Sequence, residues 1–438
     1  MASTLTHTFS TPTGNKKFTL SMWVKRADID SDGSIFSTYT DSNNRADIRF
    51  NSANRFSFFE KVSSQQYYVT TKRLFRDPSA FYHIVVQFDT TQSTAADRIK
   101  LWVNGAQETS FNDTSYPSQD YVLRLGSALA HTIGDNSNNA DQFEGYISHM
   151  AYVDGSVVAP TSFGLTDSTS GIWKIKTGSA ANYGTNGFFL KFENSGAMGT
   201  DSSGNSNTFT VNGNLKQALD TPSNVHATWN PMWSQSNGNI GDVVFSNGNL
   251  TTITSASYRT TPTTLGMKSA KYYWEIKRDE AQTDTHFGVM SENATPANTA
   301  TWIGNAANGW ILAGDNGQLY TGGSTVGSPL ANGSVASGAI FMGAYDGSTG
   351  KLYFGVNGTW AGTANPSTGA NPHFTLDNSL TYFPVVSTGA DVSANFGNGF
   401  FGTTAVSSAG SNGNGSIFEY DVPSGYYALN TKNINTYE

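Results

Sequence analysis

EIKRDE, residues 275–280, sets Glu275, Lys277 and Asp279 at the two-residue spacing that shares one face of a strand. A retaining glycosidase needs two carboxyl groups about 5–5.5 Å apart, but a lysine stands between this pair, and the phrase reads as a solvated charged face. In ADQFEG (140–145), Asp141 and Glu144 lie three apart, which on a strand sends them to opposite faces. No Gly-x-Ser-x-Gly elbow occurs. The seven histidines are isolated, without the His-x-His or His-Glu-x-x-His spacing of a zinc site. His83, inside FYHIVVQFD, reads as a satisfied structural imidazole, and GDNGQ (314–318) as turn chemistry. The sequence therefore predicts no catalytic constellation: the chain reads as a non-enzyme.

Binding chemistry is better represented. The loop GDNSNNADQ (134–142) offers Asp135, Asn136, Asn138 and Asp141, hard oxygen donors of the kind calcium takes. Asn and Asp also cap turns throughout this chain, so a calcium site and plain turn capping both stand as readings. Two long loops, 295–310 and 358–374, carry Trp302, Trp360 and His373. An aromatic ring on a loop can stack on a sugar face or anchor a protein contact; the alternative is that both tryptophans cover a core edge. Trp23, Trp102, Trp274 and Trp310 fall within strand-like runs and read as core.

Composition narrows the class. Charged residues make up 13% of the 438, against about 25% in ordinary soluble proteins. Aromatic residues also reach 13%, enough apolar area for a core and against disorder. The net charge of −8 and 25 scattered basic residues leave no stripe to neutralise phosphates, so nucleic acid is not an expected partner. No apolar run approaches the roughly 18–20 residues of a membrane span, so no membrane insertion is expected. The opening MASTLTHTFSTPTGNKK lacks the apolar core of a secretory signal, and cysteine is absent, which together predict synthesis in a cytoplasm.

The elements that must position these residues are strands. Period-two alternation recurs in FTLSMWVKR (18–26), ADIRFN (46–51), RFSFFE (55–60), QYYVTT (66–71), FYHIVVQFD (81–89), RIKLWVN (98–104) and FEGYISHMAYV (143–153). A second series runs from VVFSNGNLTTI (243–253) and KYYWEIKR (271–278) to YFPVVS (382–387) and DVSANFG (391–397). The fold class is all-β, as two antiparallel β-sandwiches. One phrase occurs in both series, as IKLWVNG (99–105) and KLYFGVNG (351–358), and each Asn-Gly predicts a tight hairpin turn. Predicted domains are 1–218, a connector 219–232 containing DTPSNVHATWNP, a second sandwich 233–402, and a loop with a packed C-terminal segment, 403–438.

FTLSMWVKR, FYHIVVQFD, IKLWVNG and IGDNSNNADQFEGYISHMAYVDG (133–155) resemble the laminin-G-like branch of the concanavalin A-like jelly rolls. That family opens with an apolar strand followed by an Asp-Ser-Ser-Gly-Asn turn. Here the phrase comes late, as GFFLKFENSGAMGTDSSGNSN (187–207), so the resemblance implies a circularly permuted domain. KYYWEIKR, THFGVM, GWILAGDNGQLY, DGSTGKLYFGVNG and YFPVVSTGADVSANFGNG resemble a SPRY domain. The two modules together, with the DTPSN connector and the PSGYYALNTKNI ending, resemble virion proteins of marine tailed bacteriophages. The resemblance implies a structural protein of the virion surface, a compact appendage, knob or capsid decoration. Its implied partners are other virion proteins, host surface glycan and further copies of itself in a homo-oligomer. A tail-fibre adhesin or lectin is the alternative, and a polysaccharide-degrading enzyme stands behind both. No cofactor is implied beyond calcium, which some relatives bind on such loops.

Overall fold

The computed structural model describes residues 3–136, 140–176, 182–233, 243–254, 259–280, 285–295, 302–330, 333 and 335–438. Two compact units divide the chain, Met1–Gln217 and Ala218–Glu438.

In the first unit an eight-stranded and a six-stranded sheet face one another across one core. Alternation explains which side chains meet there. Along Lys17–Arg26, Phe18, Leu20, Met22 and Val24 point inward, and along Tyr82–Asp89 Ile84, Val86 and Phe88 do the same. Ala46, Ile48 and Phe50 on Asn44–Phe50 answer them from the opposite sheet. The late segment closes both sheets: Phe188–Leu190 pairs with Gly145–Asp154, and Thr210–Asn212 pairs with Thr4–Thr8. DSSGN is the clasp between them. The Asp201 carboxylate accepts from the N–H groups of Phe189, Ser203 and Asn207, and the Asn205 amide donates to the Gly184 and Gly187 carbonyls.

The second unit repeats the plan with a nine-stranded and a six-stranded sheet. Tyr272, Trp274 and Ile276 of Lys271–Arg278 meet Phe287 and Val289 of Thr285–Ser291 in its core. Residues 219–232, read from the sequence as a connector, are instead part of this sandwich. Trp229 is fully buried, edge-on to Phe396, and the Ala227 N–H donates to Leu429. The polar DTPSN phrase hides an alternating run, VHATW, whose burial outweighs its turn-like flanks. VVFSNGNLTTI is a hairpin of two strands, Val243–Ser246 and Thr251–Thr254. The chain ends in a helix, Thr431–Tyr437, whose first turn is capped by the Asn430 side chain accepting from the Asn433 N–H.

Among the described residues, three sheets are covered on both faces. Besides the two inner cores, the outward side chains Val85, Ala151, Val153 and Phe189 of the first unit lie under Phe163 and Tyr183. In the second unit, Tyr273, Met342, Ala344 and Tyr353 lie under Phe418, Val422, Tyr426 and Ala428. Met290, Ile311, Ala313 and Val385 pack with Ala294, Ile303 and Ala306 on the outer side of the other sheet.

The repeated phrase is one hairpin solution used in two sandwiches. Asn104 and Asn357 have φ of 49° and 50°, and Gly105 and Gly358 both have φ of 80°. Each asparagine side chain also accepts from the neighbouring, preceding strand, Asn104 from the His83 N–H and Asn357 from the Ile340 N–H, both at 2.8 Å. Asparagine therefore supplies both the left-handed backbone and a partner for an N–H at the strand end. Asn104→Ala and Asn357→Ala should each cost about 1–3 kcal/mol, the penalty of an unpaired N–H plus an unfavourable φ. Chemical denaturation should show the loss in the unit that carries the substitution. Trp229→Ala should cost about 3–5 kcal/mol in the second unit alone, as a connector residue would not.

Candidate functional site

The predicted ligand residues do not converge. Trp302 stands against the outer cluster of the six-stranded sheet, its ring 5.0 Å from His286 and 4.9 Å from Tyr320. Trp360, on Thr359–Trp360, lies on the outer side of the nine-stranded sheet, edge-on to Tyr273 at 6.3 Å. The two rings therefore sit over opposite outer faces of one sandwich. His373 is corrected from ligand to framework. Its Nδ1 accepts from the Phe354 N–H at 2.9 Å and its Nε2 donates to the Ala361 carbonyl at 3.2 Å. Both ring nitrogens are spent, and burial lowers its pKa, keeping it neutral.

The calcium reading also changes. Asn138 lies outside the described residues. Asp135 and Asn136 are buried, and the Asn136 amide donates to Asp141 at 2.6 Å. A cation already stands beside Asp141. The Arg49 guanidinium lies 3.3 Å from Asp32, 3.7 Å from Asp47 and 3.9 Å from Asp141. Burial pushes the Asp47 carboxyl up to about 6, with Arg49 and Arg45 pulling it back. Among the described residues no three His, Cys, Asp or Glu side chains gather as a metal site. Asp135, Asn136 and Asp141 brace the loop, as turn capping predicts.

One serine–histidine pair has the distance of a catalytic dyad but the wrong proton. Ser21 Oγ lies 2.8 Å from His83 Nε2, on neighbouring strands of the six-stranded sheet. Trp173 Nε1 donates to His83 Nδ1 at 2.9 Å, so the ring proton is on Nε2 and points at the serine. A general base would need a lone pair there. The imidazole is fully buried between Trp23 and Trp173, and burial lowers its pKa to about 3.

Glu275 corrects the charged-face reading of EIKRDE. It shares the outward face with Lys277 and Asp279, as alternation predicts, yet it is wholly buried. The C-terminal segment supplies what water would have. The Glu419 and Tyr420 N–H groups donate to it at 2.9 Å each, Tyr273 Oη at 2.8 Å and Asn395 Nδ2 at 3.3 Å. Burial pushes its carboxyl up to about 7 against those donors. Glu60 in the first unit is the counterpart, buried, accepting from the Arg124 N–H, and also pushed up to about 7. Each buried acid is held by donors, and at Glu275 the nearby Glu419 carboxylate adds to the upward push.

Because Glu275 holds residues 419 and 420, that segment stands beside the hairpin turn and leaves an open cleft of about 680 Å³. Trp360 and Tyr420 supply its rings, and Glu419, Asp421 and Asn412 its polar groups. A methyl group on Gly358 would come within 2.9 Å of the Tyr420 ring, so the turn glycine admits the segment. Glu419 accepts from the Ser407 N–H and hydroxyl, and Asp421 from the Ser411 N–H at 2.6 Å, which holds its carboxyl below the usual range. The sequence pointed to Trp360 but not to Tyr420, Glu419 or Asp421. Their signal was the alternation in IFEYDV (417–422), which follows a Gly/Ser/Asn run.

With two antiparallel sandwiches in place, the protein is all-β. Residues 2–161 match a laminin G family model described as the concanavalin A-like lectin/glucanases superfamily. No curated protein matches the chain. Among solved structures the chain is similar to the SPRY domain of human HERC1, at 18% identity over 35% of this chain and 91% of that one, TM-score 0.28. It is similar to the TRIM65 PSpry domain at 13% identity, over 39% and 88%, TM-score 0.29. A heptameric SAP-like pentraxin from Limulus polyphemus gives 16%, 36% and 72%, TM-score 0.27. The concanavalin A-like fold is compatible with a binding or structural role.

Folded His83 stays neutral down to about pH 3, whereas an unfolded histidine titrates near 6.5. Between those values the unfolded chain binds the extra proton, so this residue's contribution to stability falls as pH falls. Glu60 and Glu275 act in the opposite sense between about 4.5 and 7, where the folded chain binds the extra proton. The comparison with His83→Gln isolates the histidine. The wild-type advantage should shrink by up to about 1.4 kcal/mol per pH unit below 6.5, measured by denaturant titration. A gap independent of pH would refute the neutral imidazole.

Proposed function

We propose that the chain is a non-enzymatic structural and attachment protein, free of any cofactor. Following the resemblance in its sequence, we place it on the virion surface of a tailed bacteriophage, as a compact appendage, knob or capsid decoration. Synthesis in the host cytoplasm, contacts with other virion proteins and assembly as a symmetric homo-oligomer belong to the same reading. One observation supports the non-enzymatic part: three buried groups able to do acid–base chemistry, His83, Glu60 and Glu275, are committed to holding the fold. His83 presents a proton to Ser21, and Glu60 and Glu275 each hold a loop from within the protein.

The cleft beside Trp360 favours a second, compatible reading, in which the same protein attaches to a host surface as an adhesin. Its rings and acceptors are suited to holding a ligand, and an open cleft lacks the enclosed, water-excluding walls that a hydrolytic transition state exploits.

Purified protein incubated with host-envelope polysaccharide should generate no new reducing ends. Mass spectrometry of purified particles should recover the chain in fixed proportion to the capsid protein. Sustained sugar release, or absence of the chain from washed particles, would overturn the proposal.

A further inference from the structure

We infer that the cleft between Trp360 and residues 407–424 binds a saccharide that carries no acidic groups. The inference rests on the attachment reading and names the ligand class for that site. The cleft is not a gap left by poor packing. The nine-stranded sheet supplies one wall through Gly358 and Trp360, and the C-terminal segment supplies the other through Tyr420 and Asp421. The second wall is fixed from below, since Glu275 receives the N–H groups of Glu419 and Tyr420 while Phe418 and Val422 are buried against the sheet. A rigid wall spares a ligand the entropy of ordering it.

The lining chemistry selects the ligand. Two half-buried aromatic rings offer flat apolar faces, on which the C–H face of a pyranose can lie. Around them stand acceptors and small hydroxyl or amide groups, among them Ser408, Asn412, Asp421 and Ser424. This is hydrogen-bonding capacity spread over a surface, suited to a ligand with many hydroxyls. Both carboxylates are already oriented by serine donors, Glu419 by Ser407 and Asp421 by Ser411, so they present fixed lone pairs rather than mobile counter-charges. Among the described residues no Lys, Arg or His lines the cleft. An anionic sugar would meet two carboxylates with no cation to offset them. The volume of about 680 Å³ lies within the roughly 300–1,000 Å³ of small-molecule pockets. Rings and carboxylates would also attract a basic peptide by cation–π and charge, and the test separates that outcome.

The full-length protein, immobilised at physiological salt, would be titrated with neutral hexose and N-acetylhexosamine oligosaccharides, with alginate, and with poly-L-lysine. Saturable binding of at least one neutral oligosaccharide is expected, weaker by about tenfold or more in Trp360→Ala, the loss of a ring anchor. Asp421→Asn, an exposed change that leaves packing untouched, should weaken it by about threefold or more. Tyr437→Ala, which removes an exposed ring from the C-terminal helix outside the cleft, should leave it unchanged. Near-ultraviolet circular dichroism would show that each variant is folded. Three results would overturn the inference: no neutral ligand binding, binding that survives both cleft substitutions, or a preference for alginate. Binding of poly-L-lysine in place of saccharide would overturn the ligand class and leave attachment standing. Release of reducing sugar from a bound oligosaccharide would overturn the non-enzymatic reading instead.

Discussion

A β-sheet has two faces, and among the described residues one sheet of the first unit and both sheets of the second carry apolar side chains on each of them. Val85 and Val153 point away from the first core as surely as Val86 and Tyr152 point into it, and Tyr273 and Tyr353 do the same in the second unit. A sandwich covers only the inner faces. The outer ones have to be covered by further lengths of the same chain, since exposed apolar patches of that size are costly in water. Much of the rest of the structure follows from this requirement. It explains why Phe163, Trp173 and Tyr183 lie over the outer face of the first six-stranded sheet, and why the C-terminal segment lies on the second unit instead of trailing from it.

Covering a sheet face also buries the polar groups on it. Ser21, His83 and Glu275 alternate outward exactly where solvent would be expected, and each lies beneath a later segment. The covering segments meet them with donors: Trp173 gives its indole N–H to His83, and Glu419 and Tyr420 give their backbone N–H groups to Glu275. The two units share a further detail. The glycine of each Asn-Gly turn is overlaid by an aromatic ring of the covering segment, Trp173 above Gly105 and Tyr420 above Gly358. A residue without a side chain at the turn allows the ring to approach, which is a second reason, beyond positive φ, for glycine there. In the first unit the ring closes over a histidine. In the second the segment stands off far enough to leave a cleft.

Much of the fold was legible in the sequence because its signals are local. Period-two alternation located the long strands, and Asn-Gly located both hairpins. Short or weakly alternating strands such as Thr4–Thr8, Gly33–Asp41 and Ala130–Ile133 left little trace, because polar residues occupy many of their positions and pairing partners decide their state. VHATW was hidden between turn-forming residues, and the final helix has a polar sequence held by its Asn430 cap and tertiary contacts. The site was legible only in part. Trp360 and Trp302 stood out as loop tryptophans and both are half-buried over outer sheet faces, but His373 is framework in space. Arg49 lies far along the chain from Asp141, so no spacing rule could reveal that the acidic loop already holds a cation.

By itself the sequence determined the class of structure, the hairpin turns, the inner-face residues and the absence of any thiol. These depend on side-chain type and on a spacing of one or two residues, which the chain carries wherever it goes. The tertiary structure decided which outward faces are wet. Glu275 is a buried anchor rather than a solvated charge because residues 145 positions later return to cover it, and the Trp360 cleft exists because the same return stops short of closing. Such outcomes depend on which distant segments meet, and water exclusion is a property of that meeting rather than of any residue in it.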